Sequence, residues 1–308
     1  MRSLTLPALL TKGDTVAITA ASMPCTRSKL EIGIEKIQDM GLKVQVMDSC
    51  YAAHNYLAGL DALRLHDLHA AFADKNIKGI FMARGGYGAA RLLPHLNYEL
   101  IRQNPKIFVG FSDVTALHIA LNQFGNLATY HGPMPASCFA SEELHPLTLS
   151  SFTGAVFLNK FGRFSAGLQT LCPGHASGIL TGGNLSVIAS TLGTPYEIKT
   201  RGRILFLEEV QEPPYRVDRL LLQLKLAGKL SDAAGIAFGD FSPESLDTLG
   251  TAINELILPE KKPTIWGMPS GHTSPNFTIP LGMIASITAP PAHLKLSPIL
   301  DVALCHNY

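Results

Sequence analysis

Residues 107–117 of the chain read IFVGFSDVTAL and join two predicted elements. The first half of this stretch is apolar, β-branched and aromatic, as in a buried strand, and the spacing of Val114, Leu117 and Leu121 predicts one face of a helix. Ser112 stands at the junction, where its hydroxyl would lie beside helix amides that no residue inside the helix can satisfy. A serine in that position suits a nucleophile whose attack creates an oxyanion.

The same junction has a second interpretation, in which Ser112 and Asp113 only cap the helix. Serine and aspartate accept hydrogen bonds from the first free amides of a helix, and a serine cap is worth about 1 kcal/mol of stability. The glycine pattern of a full nucleophile elbow is also incomplete, because Gly110 lies two residues before Ser112 whereas Val114 lies two residues after it. The segment by itself leaves both interpretations open.

The chain before this stretch alternates between strand-like and helix-like patterns. Strands are predicted over 15–20, 42–47 and 77–83, and helices over 27–40 and 61–73. Alternation of this kind predicts an α/β fold with a parallel sheet that is covered on both faces. Ligands of such sheets bind at the carboxyl ends of the strands, which is also where the serine junction would lie.

Two unusual loops are expected at the same edge of the sheet. Residues 84–88, RGGYG, follow the third strand and open a predicted helix that contains Ala89, Ala90 and Leu92. Residues 130–134, YHGPM, follow a strand near Leu127. The glycines permit positive φ and let backbone amides approach a ligand closely. We interpret the first loop as a clamp for an oxyanion or for a substrate backbone. A phosphate-binding loop is the alternative, but the G-x-G-x-x-G order and the lysine of a Walker motif are both missing.

The pattern loosens from residue 135 to about residue 176. We interpret residues 141–176 as a linker between a first domain, 1–140, and a second domain, 177–308. A helix-like segment at 144–158 falls inside this linker. The second domain again alternates strands with helices. Its strands are predicted over 204–207, 235–238, 264–266 and 284–288, and its helices over 217–226 and 245–258.

The composition is that of a globular protein with a large core. The chain has 308 residues, of which 46% are hydrophobic and 16% are charged, so it has room for two domains. A formal net charge of +1 provides no sequence-wide field of the kind that nucleic-acid binding requires. We therefore expect a small neutral or zwitterionic substrate and no nucleic-acid partner.

The cysteines and the apolar runs bear on cofactors and location. The cysteines at positions 25, 50, 138, 172 and 305 are odd in number and scattered, so neither a disulfide framework nor a zinc site is expected. The first ten residues lack the apolar stretch of a secretory signal, and no run is long enough to span a membrane. We therefore expect a cytoplasmic protein with no membrane partner.

Two further points in the chain carry chemistry. A predicted strand ends in Glu208 and Glu209, and His272 lies in a glycine-rich loop after another predicted strand. A glutamate at a strand end is often solvated or paired with a nearby cation, here Arg216 or Arg219, and most histidines occupy surface or core positions. Each of these residues by itself therefore has an ordinary structural interpretation.

Together, however, they supply what a nucleophilic serine requires. A hydroxyl is a weak nucleophile near neutral pH, and an imidazole with an ordinary pKa of about 6.5 can take its proton in the transition state. A carboxylate on the far nitrogen fixes the tautomer and stabilises the imidazolium that forms. We therefore predict a catalytic set of Ser112, Glu208 and His272.

A set of short sequence blocks is spread along nearly the whole chain. The blocks are residues 84–88 (RGGYG), 110–113 (GFSD), 131–134 (HGPM), 182–185 (GGNL), 207–209 (LEE), 216–219 (RVDR), 271–272 (GH) and 280–282 (PLG). In this order they resemble the LD-carboxypeptidases, a family of serine peptidases that includes the muramoyltetrapeptide carboxypeptidases. The whole set is far more specific than any one block.

The resemblance implies that Ser112, Glu208 and His272 form a Ser-His-Glu triad. It implies a Rossmann-like parallel-sheet domain that carries the serine, and a smaller, β-rich α/β domain that carries the other two residues. It also implies a cytoplasmic homodimer, without metal or other cofactor, that removes the terminal D-alanine from murein tetrapeptides. The bond cleaved would be an L,D-amide, and the reaction would pass through an acyl-enzyme.

Further binding residues are expected around this triad. The oxyanion would meet the backbone amide of Asp113 and an amide from the turn at Gly85 and Gly86. Arg84 and the loop amides are candidates for binding the terminal carboxylate of the substrate, although Arg84 could equally brace the loop against an acidic neighbour. These residues would complete the site on the first domain.

Tyr87, Asn184 and His131 are expected to line the cleft, and for each of them a structural role as a loop anchor is the alternative. Two rival functions also stay open. A microcin-immunity branch of the same family cleaves peptidyl or aminoacyl adenylates, whereas a non-catalytic module would use residues 84–88 to hold the phosphate of a nucleotide.

Overall fold

A computed structural model describes residues 4–161, 163–165 and 167–297. Cys305 and the end of the predicted second domain lie outside the described residues. No helix in these described ranges is both long enough and apolar enough to cross a membrane.

The strands form two sheets. In chain order they are β1 (Thr15–Thr19), β2 (Lys43–Val46), β3 (Ile77–Met82), β4 (Ile107–Gly110), β5 (Thr129–His131), β6 (Arg163–Phe164), β7 (Gln169–Cys172), β8 (Gly174–Asn184), β9 (Ile204–Glu208), β10 (Gly235–Phe238), β11 (Thr264–Trp266), β12 (Ile279–Leu281), β13 (Ile284–Ala289) and β14 (His293–Ser297).

Helices connect and cover these strands. The α-helices are α1 (Arg27–Asp39), α2 (Asp61–Ala73), α3 (Tyr98–Gln103), α4 (Thr115–Gln123), α5 (Pro146–Leu158), α6 (Leu185–Ser190), α7 (Pro214–Leu226), α8 (Lys229–Asp232) and α9 (Gly250–Ala252). Shorter 3₁₀ segments occupy Asp48–Cys50, Ala89–His95, Ser112–Val114 and Leu258–Glu260, and Ile253–Ile257 form a π-helical turn.

The first sheet has the strand order β12-β5-β4-β3-β1-β2. The five strands from β5 to β2 are parallel neighbours, and β1, β3 and β4 are almost completely buried. Parallel strands need crossover connections, and the crossing helices bury both faces of the sheet, which explains the continuous apolar runs in the sequence. The predicted Rossmann-like sheet is confirmed.

Aromatic side chains show how the two faces of this sheet are filled. On one face Phe108 of β4 stacks on Phe72 of α2, with ring centroids 6.3 Å apart. On the other face Phe81 of β3 meets Phe152 of α5 edge to face at 5.5 Å. Helix α5, which lies inside the predicted linker, is therefore part of the first core.

The second sheet has the strand order β6-β14-β13-β8-β9-β10-β11-β7 and mixes parallel with antiparallel pairs. Its long strand β8 pairs with β13 along its first half and with β9 along its second half. Strand β7, also inside the predicted linker, pairs with β11. The β-rich α/β class predicted for this half is confirmed, while the boundaries at 140 and 177 stay a prediction.

One strand of the second half belongs to the first sheet. Strand β12 pairs in antiparallel fashion with β5, so that Ile279 lies opposite His131 and Leu281 lies opposite Thr129. The loop before β12 contains His272. The pairing therefore holds this loop at the carboxyl edge of the parallel strands, where the Ser112 turn also lies.

The second half departs from the predicted elements at one helix. The helix expected over 245–258 begins only at Gly250 and changes to a π-helical turn at Ile253. In the first half, the helix expected after residue 88 is a 3₁₀ segment that contains Pro94. A proline cannot donate a backbone hydrogen bond and does not fit the interior of an α-helix, which accounts for this second difference.

Candidate active site

Ser112 lies in the sharp turn between β4 and α4, with a φ of 65°. This value falls in the left-handed region, which costs a non-glycine residue roughly 1–2 kcal/mol. The N-cap residue of α4 is Val114, and no side chain caps this helix. The interpretation of Ser112 and Asp113 as simple helix caps is therefore wrong, and the strained backbone is that of a serine held at a strand-to-helix elbow.

Gly85 packs directly against this serine. A Cβ atom at position 85 would lie 2.8 Å from the Cβ and 2.9 Å from the Oγ of Ser112, and 3.5 Å from the backbone nitrogen of Asp113. Glycine is therefore required for so close an approach. The backbone of the glycine loop faces both the hydroxyl of Ser112 and the amide that follows it.

The side chain of Asp113 fastens this loop to the turn. Its buried carboxylate accepts hydrogen bonds from the hydroxyl of Ser22 at 2.6 Å and from the backbone N–H of Ala89 at 2.9 Å. Burial raises the pKa of Asp113, and these two hydrogen bonds oppose the increase. The loop after β1 and the glycine loop are thus both held to the residue next to Ser112.

Arg64 supports the glycine loop from the protein interior. Its fully buried guanidinium donates to the carbonyl of Gly88 at 3.1 Å and also to the carbonyl of Ala21, and it forms an ion pair with Asp61. A buried arginine with such partners fixes the backbone positions that it contacts. The glycine loop is therefore held at the carbonyl of Gly88, its last residue.

Arg84 and Tyr87 lie on the outer side of the same loop. Arg84 is half-buried and donates to the carbonyl of Pro24 at 3.2 Å, and within the described part of the chain no carboxylate lies within ion-pair distance of it. The proposed brace against an acidic neighbour is therefore wrong. The side chain of Tyr87 is 52% exposed and contacts Tyr56, with ring centroids 5.8 Å apart.

Glu208 and His272 form a hydrogen-bonded pair. Oε2 of Glu208, the last residue of β9, lies 2.8 Å from Nδ1 of His272, and the glutamate is completely buried whereas the histidine side chain is 22% exposed. The contact requires Gly271, where a Cβ atom would lie 2.8 Å from the same carboxylate oxygen. The predicted carboxylate and base are thus brought together across 64 residues of sequence.

The electrostatics of the pair favour an ionised carboxylate. Burial alone would raise the pKa of Glu208, but its interactions with His131 and His272 lower the pKa to about 2. Burial also disfavours a charged His272, but the hydrogen bond and charge of Glu208 outweigh it, so the pKa of His272 is raised. A carboxylate that stays ionised can stabilise an imidazolium.

The ring of His272 reaches the Ser112 turn through Phe111. The two rings have centroids 4.9 Å apart, and Phe111 immediately precedes the serine. No hydrogen bond between Ser112 Oγ and His272 is present among the described residues. Catalytic hydrogen bonds are often long without substrate and tighten when it binds.

A cavity of about 470 Å³ opens beside His272 and Phe111. Its lining includes both a cation, Lys29, and an anion, Glu143, together with the polar side chains of Ser137 and Asn276. A space with both signs of charge suits a zwitterionic ligand, as the composition of the chain predicts.

Two residues predicted to line the cleft have structural contacts instead. Asn184 is the N-cap of α6: its Oδ1 accepts from the amide of Val187 at 3.1 Å, and its Nδ2 donates to Glu209 at 2.9 Å. His131 is completely buried, and its Nε2 lies 3.9 Å from Oε1 of Glu208, whereas His272 contacts Oε2. Neither side chain therefore faces an open cleft.

The two adjacent glutamates have different roles. Glu209 accepts hydrogen bonds from Asn184, from the backbone and hydroxyl of Ser186, and from the amide of Val210. It therefore anchors the start of α6, whereas Glu208 points to His272. Arg216, which the sequence offers as a cation partner for a strand-end glutamate, pairs with Glu212 instead.

Comparison with known proteins identifies the family of the chain. Residues 16–132 match the LD-carboxypeptidase N-terminal domain, and residues 177–287 match the LD-carboxypeptidase C-terminal domain. The probable murein peptide carboxypeptidase of Bacillus subtilis (strain 168) is 40% identical over 289 residues, which cover 91% of this chain and 91% of that protein.

Two solved structures share the whole fold. The MccF-like protein from Bacillus anthracis str. Ames has a TM-score of 0.86 at 27% identity and covers 96% of this chain and 99% of its own. The muramoyltetrapeptide carboxypeptidase from Oxalobacter formigenes has a TM-score of 0.80 at 29% identity, with coverages of 92% and 97%. The two domain matches span more than half of the chain in the order expected, so the chain belongs to the LD-carboxypeptidase family of hydrolases.

Proposed function

We propose that this protein is a serine carboxypeptidase that releases the terminal D-alanine from murein tetrapeptides by hydrolysing an L,D-amide bond. The observation that carries the proposal is the 2.8 Å contact between Glu208 and His272, held against the turn where Ser112 has a φ of 65°. The murein peptide and muramoyltetrapeptide carboxypeptidases among its relatives support the choice of substrate.

In this mechanism His272 is the general base. Its Nε2 takes the proton of Ser112 as Oγ attacks the carbonyl of meso-diaminopimelate, while Glu208 holds the Nδ1–H tautomer and stabilises the imidazolium. His272 then gives its proton to the departing D-alanine, which leaves an ester on Ser112. Water, activated by the same imidazole, hydrolyses this acyl-enzyme and restores the serine.

The oxyanion formed in each step meets two backbone amides. We assign them to Asp113 and to the turn at Gly85 and Gly86, because Gly85 lies against both Ser112 and the amide of Asp113. A donor of this kind is worth roughly 2.7–4 kcal/mol in the transition state. The buried hydrogen bonds of Asp113 hold both donors in place before substrate binds.

Arg84 is our candidate for the terminal carboxylate of the peptide. A guanidinium has five N–H donors in a planar fork, and the contact with Pro24 leaves others for a carboxylate. Tyr87, exposed on the same loop, would contact the peptide beside it. The family resemblance also underlies our proposal of a cytoplasmic homodimer that works without a metal or other cofactor.

An adenylate is the second candidate substrate, because the microcin-immunity branch of the family cleaves adenylates. MccF is a microcin C7 self immunity protein, and the MccF-like protein from Bacillus anthracis superposes on this chain with a TM-score of 0.86. An adenine site needs an exposed aromatic ring on which the base stacks. Trp266 does not provide one, since its ring is 8% exposed and packs against Phe238 and Phe241. Trp266 is thus excluded as a stacking ring, whereas Tyr87, which is exposed on the glycine loop, is the ring that an adenine would use.

The test is mass spectrometry of products after incubation of the protein with a disaccharide tetrapeptide, a free tetrapeptide and an aminoacyl sulfamoyl adenosine. Loss of one alanine from either peptide is the expected result, whereas cleavage of the adenosine compound alone would select the second candidate. Labelling of Ser112 by a fluorophosphonate would in addition rule out a non-catalytic nucleotide-binding module.

A further inference from the structure

Two buried polar atoms face each other behind the Glu208–His272 pair. Nε2 of His131 and Oε1 of Glu208 are 3.9 Å apart, and both side chains are completely buried. Within the described part of the chain neither atom has any hydrogen-bond partner. Because a buried donor and a buried acceptor are both costly to leave unpaired, each is the natural partner of the other.

The direction of this contact follows from the charge of the carboxylate. An ionised glutamate can only accept hydrogen bonds, so the nitrogen that faces it must carry a proton. Nδ1 of His131 lies 3.4 Å from the hydroxyl oxygen of Ser270, whose single proton is donated to the carbonyl of Phe277 at 2.9 Å. The two nitrogens of the ring are thus directed at different partners, with Nε2–H toward Glu208.

The surroundings of His131 keep its ring in this orientation. The ring of Phe206 packs edge to face against it at 5.3 Å, and the ring of Phe111 lies 5.7 Å away. His118 lies 6.4 Å away, and its own Nε2 is hydrogen-bonded to the carbonyl of Gly110. Because no part of His131 is exposed, it cannot contact substrate.

We propose that His131 is a positioning residue of the triad, which holds Oε1 of Glu208 so that Oε2 remains directed at Nδ1 of His272. His131 ends β5 in the first sheet, whereas Glu208 ends β9 in the second. Because of this contact, the orientation of the catalytic carboxylate depends on how the two sheets pack together. This inference rests on the proposed Ser-His-Glu mechanism.

A matched pair of variants separates the two contacts of the ring. In His131→Gln the amide nitrogen can take the place of Nε2 and still donate to Glu208, whereas in His131→Asn the shorter amide reaches only the Nδ1 position, facing Ser270. Both variants are polar and smaller than or similar to histidine. A merely structural role would make them lose activity alike.

The measurements are kcat and KM for alanine release and the rate at which a fluorophosphonate labels Ser112. We expect His131→Asn to lower kcat and the labelling rate roughly 10- to 100-fold, as is usual for a lost outer partner, with KM within about threefold of the parent because substrate is not contacted. His131→Gln should stay within about fivefold of the parent in kcat.

A double variant tests whether His131 acts through Glu208. In the Glu208→Gln background, His131→Asn should lower kcat by less than about twofold further, because residues that act through one contact are not additive. Equal losses in His131→Asn and His131→Gln, an unchanged kcat in His131→Asn, or a full additional loss in the double variant would overturn the inference.

The labelling rate keeps this test separate from the proposed function. If the parent protein releases no alanine, the proposed substrate is wrong, and the comparison of the two variants is then made on labelling of Ser112 alone. If the parent releases alanine and the two variants behave alike, the role assigned to His131 is wrong while the proposed function stands.

Discussion

The Ser112 turn and the His272 loop meet at one site but are held in different ways. The turn lies within the first sheet, and the contacts described for Ser112 and Asp113 come from that half: Gly85 packs against the serine, and Asp113 accepts hydrogen bonds from Ala89 and Ser22. The His272 loop instead depends on contacts between the halves, namely the pairing of β12 with β5 and the packing of His272 on Phe111. The nucleophile is therefore positioned mainly by the first sheet, whereas the base is positioned by contacts between the two halves of the chain.

The largest expected effect is that of removing the nucleophile. Ser112→Ala should lower kcat by roughly 10⁴-fold or more, because the residues of a triad act as a unit. The thermal unfolding midpoint should be unchanged or slightly higher, since no buried contact of the turn is lost. Ser28→Ala, at an exposed position of α1, is the matched control. Alanine release at the parental rate by Ser112→Ala would contradict the assignment of the nucleophile.

The two adjacent glutamates provide the next test. Glu208→Gln should lower kcat by roughly 10³- to 10⁴-fold, because an amide does not stabilise the imidazolium of His272. Glu209→Gln should leave kcat within a few-fold of the parent and should lower the free energy of unfolding by about 1–3 kcal/mol, because hydrogen bonds at the start of α6 are weakened. Steady-state kinetics and urea unfolding of both variants measure kcat and the free energy of unfolding. A large loss of kcat in Glu209→Gln, with only a loss of stability in Glu208→Gln, would mean that Glu209 is the catalytic carboxylate.

A smaller effect is expected from crowding the serine. Gly85→Ala introduces a Cβ atom 2.8 Å from the Cβ of Ser112, so the glycine loop and its amides must move away. Displaced oxyanion donors should lower kcat by roughly 10- to 100-fold. Gly250→Ala is the control, since a Cβ atom there meets nothing within 4 Å. Full activity in Gly85→Ala would show that the loop does not supply an oxyanion donor.

The smallest effect concerns the pH dependence of the base. Although burial lowers the pKa of His272, the hydrogen bond and charge of Glu208 raise it above 6.5. His272 accepts a proton only when neutral, so kcat/KM should fall as the pH drops below this raised pKa. In Glu208→Gln the acidic limb should move to lower pH. Rates measured across the neutral range test both statements, and an acidic limb below 6.5 in the parent would contradict the raised pKa.

The sequence was most informative about the first sheet. Buried parallel strands such as 77–82 and 107–110 are continuous apolar runs, and the helices between them have clear periodicity, so both could be predicted. Strand β12 could not, because it is three residues long, contains Pro280 and exists through its pairing with β5 from the other half. Such a pairing has no local signal.

The candidate site shows the same limit. The resemblance selected Ser112, Glu208 and His272. The structure distinguishes Glu208 from Glu209 by the direction of their carboxylates, because Glu208 contacts His272 whereas Glu209 contacts Asn184. For Asn184 the sequence left open a place in the cleft and a role as a loop anchor, and the structure shows it as the N-cap of α6. The burial of His131 behind Glu208 was missed. Its position at the end of the strand beside β4 was the available signal.

The pairing of β12 with β5 has a consequence for dividing the chain. A fragment that ends before the second half would leave β5 as an exposed edge whose backbone groups have no neighbour, and such edges recruit strands from other molecules. The amino-terminal half should therefore aggregate or exchange strands when produced alone, and adding a peptide with the sequence of residues 271–283 should restore its solubility. Residues 271–283 are thus needed both for the active site and for the solubility of the first sheet.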